Sequence, residues 1–219
     1  MKKAFVLIVL FVMPIVIYLF FALASHNALF LDVIKKNMPE LPQWKNQNNE
    51  VVQLKNKITI LGFLGNQPQL SKGNLLNLNQ KIFNKFKDFK DFQLLMICPL
   101  GTEDEIINVQ KELKRYGAIE RWTFAFAEAT DIQTYYNSLG LKEKITVDQG
   151  TPFVYIIDKE KQLRGRNGKN KKGEVEYKES YDTSSASEMH NELTDDFKII
   201  LREYRLALKK NDPNQRKKG

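Results

Sequence analysis

The sequence predicts an α/β domain, a mixed central sheet flanked by helices, carried behind an N-terminal transmembrane helix. Three observations predict it. Apolar runs of strand length alternate with amphipathic stretches of helical period between residues 57 and 140. Gly150-Thr151-Pro152 then leads into two short strand-like runs and a long closing amphipathic stretch. Ala4 to Ser25 is an almost unbroken apolar run behind Lys2 and Lys3, and a bilayer-spanning helix needs about 20 such residues. At 219 residues, the chain holds one well-cored domain and an appendage.

The apolar run admits two readings. Its length, beyond the roughly 7 to 15 residues of a secretory core, favours a retained anchor; Ala22-Leu23-Ala24 also fits a signal-peptidase site, which would make the segment a cleaved signal. Pro14 is tolerated in a membrane helix. In both readings Lys2 and Lys3 hold the amino end in the cytoplasm and the rest is translocated. The expected protein is single-pass in the inner or cytoplasmic membrane, bound through residues 4–25, with its C-terminal domain in the periplasm or otherwise outside the cytoplasm. Of the formal net charge of +8, much falls late, at Arg164, Arg166, Lys169, Lys171 and Lys172, and again from Lys209 to Lys218. For a translocated domain this implies solubility and attraction to anionic surfaces, and nucleic acid is not an expected partner. The single cysteine, Cys98, excludes an intrachain disulfide and a cysteine metal cluster.

Residues 1–25 are thus anchor or signal, 26–40 a juxtamembrane linker or short helix, 41–210 the folded domain and 211–219 a basic disordered tail. Within 26–40, Leu29, Phe30, Val33 and Ile34 recur at helical spacing, and Pro39 and Pro42 impose extended backbone. Trp44 to Leu54 reads as a hairpin turning through Asn46-Gln47-Asn48-Asn49, since asparagine tolerates positive φ. Lys57 to Leu64 is the first central strand. Leu75, Leu78, Ile82, Phe83 and Phe86 place one apolar stripe on a helix from about Ser71 to Phe89. Phe92 to Cys98 is a second strand, apolar enough to be buried on both faces. Thr102-Glu103-Asp104-Glu105 reads as a capping box opening a helix to Tyr116. Trp122 to Ala127 is a third strand, and a helix from Thr130 ends at Gly140. Phe153 to Ile157 and Gln162 to Arg166 form a strand pair, the second at an edge, and Gly165 to Ser180 is a basic solvated excursion. Ser185-Ala186-Ser187-Glu188 is a second capping box, opening a last helix whose stripe runs from Met189 to Leu208.

The informative place is the loop Gly65-Asn66-Gln67-Pro68-Gln69-Leu70 after the first central strand, which has the setting of a redox or metal site but no thiol. Strands alternating with helices, then Thr-Pro before a strand pair and a closing helix, is the order of a thioredoxin-like domain. Over about residues 41 to 208, and in its anchor, the chain most resembles the Sco/SenC proteins, membrane-anchored copper chaperones of cytochrome oxidase assembly. That family carries Gly-Phe followed by Cys-x-x-x-Cys. Gly62-Phe63 is present here, but the cysteine positions fall near Asn66 and Leu70. The family's copper-binding histidine corresponds to a position near Gly150, and its Asp-Pro after the second strand has Cys98-Pro99 as counterpart. The resemblance therefore implies a degenerate member without the three copper ligands. It also implies a cis Thr151–Pro152 bond beside the loop; an ordinary trans proline starting a strand is the alternative.

Copper(I) selects thiolates and thioethers, and the domain offers little beyond Cys98, so no metal or cofactor is expected. Cys98 is either a buried strand-end residue acting as a small hydrophobe or a reactive thiol at the loop's edge. The two histidines, His26 and His190, assemble no hydrolase or metal arrangement. The candidate site is a degenerate edge of Asn66, Gln67, Pro68, Leu70, Cys98, Gly150, Thr151 and Pro152, with no catalytic residue. The expected function is binding to an unidentified protein partner, as an assembly factor of the envelope or respiratory complexes. The alternative is a single-cysteine, peroxiredoxin-like redox enzyme using Cys98, and the basic excursion 165–180 is an alternative contact surface.

Overall fold

The computed structural model describes residues 10–18, 30–169 and 173–211. The chain divides into two units, Met1–Phe30 and Leu31–Gly219. In the first, residues 10–18 form a helix, α1, with exposed side chains. Among the described residues no helix is long and apolar enough to cross a membrane. The rest of the expected anchor, with Lys2, Lys3 and the Ala22-Leu23-Ala24 motif, lies outside the described residues, as do Lys171, Lys172 and all of the expected tail after Asn211.

The second unit is built on one sheet. Its centre is β3 (Ile58–Phe63), β4 (Phe92–Pro99) and β5 (Trp122–Ala127), parallel to one another, with β6 (Phe153–Ile157) antiparallel to β3. Adding β1 (Asp32–Lys35), β2 (Lys45–Asn46) and β7 (Leu163–Lys169), the order is β1-β7-β6-β3-β4-β5-β2. Two further strands, β8 (Val175–Lys178) and β9 (Tyr181–Asp182), pair with β7 and β6.

Every residue of β3 and β4 is buried, because both faces are covered. Ile58, Ile60, Leu94, Met96 and Cys98 point to one core, with apolar residues of α2 (68–86), α3 (Glu103–Arg115) and α5 (186–211). Leu61, Phe63, Leu95 and Ile97 point to the other, with α4 (Ala129–Leu139) and the 38–54 segment. Burying one such side chain contributes roughly 1.5–3 kcal/mol, so contact with the sheet, more than helix propensity, fixes the helices.

Several expectations need correction. The helical spacing in 26–40 does not produce a helix over its described part: residues 32–35 are strand β1, antiparallel to β7 with Asp32 opposite Gly165. Pairing with a sheet edge overrides a weak local period. For the same reason β7 is not the edge. The long helix α2 is not uniform; 3-10 turn Pro68–Ser71, α segment Lys72–Leu78, π turn Asn79–Phe83 and α segment Asn84–Phe86 follow one another. A π turn takes up one extra residue, and Leu75, Leu78, Ile82 and Phe83 all stay buried. The Thr102 capping box does not form: Thr102 Oγ1 donates to the Pro99 carbonyl at 2.8 Å instead. Half of the Ser185 box forms, Ser185 Oγ accepting from the Glu188 amide, while the Glu188 carboxylate accepts from the Asp182 amide. The excursion at 165–180 is largely the β7–β8 hairpin, and Arg166 folds back to pair with Asp196 (2.8 Å) and Glu176 (2.9 Å).

A buried ion cluster ties the ends of the unit together. Arg164 pairs with Asp158 at 3.0 Å and Glu203 at 2.6 Å, and also donates to the Leu31 carbonyl. Burial raises the Asp158 carboxyl above its ordinary value, against the pull of hydrogen bonds and of Arg164.

Candidate functional site

Parallel strands end on one side of a sheet, so the loops after β3 and β4 and the segment before antiparallel β6 share one edge. Backbone contacts then close it. Leu64 bridges Gly150, the Thr151 amide donates to the Phe63 carbonyl at 3.0 Å, and the Asn66 amide donates to the Asp148 carbonyl at 3.0 Å. Asn66 Nδ2 reaches the Asp148 carboxylate at 3.3 Å.

Two glycines allow this approach. Gly65 has φ +72, in the left-handed region, and a Cβ there would lie 2.8 Å from the Asp148 carbonyl and 3.0 Å from Gly150 backbone atoms. A Cβ on Gly150 would stand 3.2 Å from the Leu64 carbonyl. Below the loop, a cavity lined by Gly62, Met96, Thr151 and Val154, among others, has a volume of about 10 Å³, the room of one water molecule at most. The loop after β3 and the segment before β6 are therefore packed backbone against backbone.

Asn66, Gln67 and Leu70 are exposed, and Pro68 is buried at the start of α2. Gln69 Nε2 donates to the Glu105 carbonyl at 3.2 Å, holding the loop against the start of α3. Gly150 and Thr151 are half-buried and Pro152 is exposed. The Thr151–Pro152 bond is trans, which settles the open alternative against cis. Pro152 instead offers its carbonyl to the amide and hydroxyl of Thr183, at 3.0 and 2.6 Å, as β9 pairs with β6.

Cys98 does not face the loop surface. It shares a face with Met96, is fully buried, and contacts the Met96 carbonyl at 3.8 Å. Burial, and secondarily the Glu103 carboxylate, pushes its thiol well up from its ordinary value, so it stays protonated and shielded, the opposite of an activated thiolate. Copper, which the family resembled carries, does not fit these donors. Asn66, Leu70 and Gly150 supply neither thiolate nor imidazole, His190 is exposed on α5, and among the described residues no three His, Cys, Asp or Glu side chains cluster to hold a metal.

Sequence reasoning placed Leu70 on this edge but passed over Leu100 and Val147, which complete its apolar rim. Leu70 is 79 % exposed, Leu100 50 % and Val147 90 %, one in each of the three loops. An isolated exposed leucine needs no explanation, whereas several at one end of a sheet do. Their signal in the sequence was only apolar residues within predicted loops.

The topology of β3, β4, β5, β6 and β7, with helices on both faces, defines a thioredoxin-like domain. No family model matches the chain, and no curated protein matches it. Among solved structures it is similar to the soluble domain of Sco1 from Bacillus subtilis, with 14% identity over 78% of this chain and 95% of that one and a TM-score of 0.46. It is also similar to ScoI of Arabidopsis thaliana solved with copper bound (14% identity, 71% and 94% covered, TM-score 0.45). A third is the thioredoxin domain of a thiol-disulfide oxidoreductase from Bacteroides vulgatus (17% identity, 63% and 91% covered, TM-score 0.45).

Proposed function

We propose that this is a degenerate Sco-like protein, anchored by its N-terminal apolar run with the thioredoxin-like domain outside the cytoplasm, that acts by binding a protein partner and not by redox or copper chemistry. The observation that carries the reading is the closed edge. Where chemistry would need two thiols and an imidazole around open space, Gly65 and Gly150 meet through their backbones and the surrounding loops expose Leu70, Leu100 and Val147. Such a surface suits docking, since apolar side chains held on hydrogen-bonded loops lose little freedom on binding. Assembly of an envelope or respiratory complex is the setting the Sco resemblance suggests. The burial of Cys98 leaves the single-cysteine redox alternative without an accessible nucleophile.

The test is affinity capture of the full chain from membranes, with and without a metal chelator, beside a Leu70→Asp/Val147→Asp variant. The expected result is a partner retained under chelation and lost in the variant. Stoichiometric Cu(I) binding, or catalytic disulfide reduction by the purified chain, would overturn the proposal.

A further inference from the structure

Away from the closed edge, a groove of about 460 Å³ runs between the end of α2 and the later turns of α5. Its apolar part is Phe86, Phe89 and Leu201; its cationic residues are Lys85, Lys198, Arg202 and Arg205, against the single carboxylate of Asp88. On α5 the spacing of 198, 202 and 205 puts three of these cations on one helical face. Lys198 is paired with Asp195 at 2.8 Å. Lys85, Arg202 and Arg205 are exposed, and no carboxylate lies within ion-pairing distance of them among the described residues. Arg121 adds charge nearby, donating to the Lys87 and Lys90 carbonyls at 2.7 and 2.6 Å. Cations unmatched by the protein, set around an apolar floor, call for an anion with apolar substance attached.

Where the chain joins the domain selects among such anions. The Leu31 amide donates to Glu203 at 2.7 Å, and its carbonyl accepts from Arg164, so the first residue of the domain is fastened to the same stretch of α5 that carries Arg202 and Arg205. Only five residues, 26–30, separate Ser25 from Leu31, so the six Cα steps between them reach about 21 Å at full extension. If 4–25 lies in a bilayer, Leu31 is tethered within that distance of Ser25, and the stretch of α5 fastened to Leu31 is tethered with it. The sequence beyond Asn211 is itself basic, at Arg216, Lys217 and Lys218, so the chain's own tail is the wrong sign to fill the groove.

We propose that this groove seats an anionic phospholipid of the bilayer that holds the anchor, the headgroup phosphate between Arg202, Arg205 and Lys85 and the upper acyl region against Phe86, Phe89 and Leu201. The proposal rests on the anchoring reading of residues 4–25. Its consequence is orientation: docking the α2–α5 end on the membrane fixes how the domain stands above it, and with it the height and facing of the closed edge.

The experiment uses the full chain in nanodiscs of phosphatidylcholine alone or with one third phosphatidylglycerol, reading amide hydrogen exchange over 84–90 and 197–206. Exchange there is expected to slow by about tenfold in the anionic discs only, and the protection to vanish in molar salt. Lys85→Glu/Arg202→Glu/Arg205→Glu, three changes at exposed positions, is expected to abolish it, and Arg202→Gln/Arg205→Gln to reduce it. Equal exchange in the two lipids overturns the proposal. So does protection that ignores lipid charge and follows an added acidic amphipathic peptide. Retention of the chain in phosphatidylcholine discs at molar salt reports the anchor separately. If the chain leaves those discs, the anchoring reading falls. The groove is then judged by sedimentation with the same lipids as vesicles: loss of anionic-vesicle binding in the triple variant supports it, and no binding overturns it.

Discussion

Replacing Gly65 with alanine tests the closed edge directly. The residue sits at φ +72, where an L side chain costs about 1–2 kcal/mol. The new methyl would meet the Asp148 carbonyl at 2.8 Å and Gly150 backbone at 3.0 Å, and overpacking of that kind costs about 1–3 kcal/mol. Both obstacles are backbone, so no side chain can swing aside. An escape is to open the edge by giving up the Asn66–Asp148 and Thr151–Phe63 backbone bonds, which flank the Leu64–Gly150 bridge. At about 1–1.5 kcal/mol each, that route caps the penalty near 2–3 kcal/mol. Gly65→Ala is therefore expected to lose about 2–3 kcal/mol in urea unfolding, with faster exchange of the Asn66 and Thr151 amides. Gly73→Ala, where a Cβ meets nothing within 4 Å in a helix, is the matched control and should be neutral or stabilising. A loss below about 0.5 kcal/mol with both amides still protected would refute the contact between the two loops.

Three further outcomes are expected. In an Asn66→Cys/Leu70→Cys background, adding Gly150→His should tighten Cu(I) binding by less than about threefold, because its Cβ would press on the Leu64 carbonyl at 3.2 Å and on Gly65 backbone at 3.3 Å; competition with a chromophoric Cu(I) chelator measures it, and a tenfold gain would contradict it. Cys98 should react with an aromatic disulfide reagent only as fast as the chain unfolds, so its rate should rise steeply with denaturant, whereas fast labelling in native buffer would show an accessible thiol. Stability should fall as pH climbs above 10: burial holds the Tyr135, Tyr155 and Tyr181 hydroxyls above their ordinary value. The folded state thus keeps protons that unfolded tyrosine releases near 10, and that advantage is lost as pH rises through the raised values. Urea midpoints at pH 9 to 12, with tyrosinate absorbance followed in parallel, check the sign; a constant midpoint would contradict it.

The central strands were legible because residues buried on both faces read as continuous apolar runs, as in Phe92 to Cys98. That same continuity hid the site's decisive fact. With both faces apolar, nothing in the sequence shows that Cys98 follows Met96 into the core and away from the loop. Thr102 had the right neighbours for a capping box, yet the Pro99 carbonyl, brought close by the turn after β4, took its hydroxyl. The groove at Lys85 and Arg202 was not legible either, since its walls lie more than a hundred residues apart.

What the sequence determined by itself is chemical identity: one cysteine in the whole chain, and Asn66, Leu70 and Gly150 at the positions that the resemblance singles out. No fold can supply a thiolate or imidazole that the residues lack. The tertiary structure alone decided the state of the emptied place. Antiparallel pairing of β6 with β3 sets Leu64 opposite Gly150, and two residues without a Cβ let the backbones meet. Closure depends on register and on contacts across more than eighty residues, which local sequence does not encode, and it turns a missing site into a packed surface.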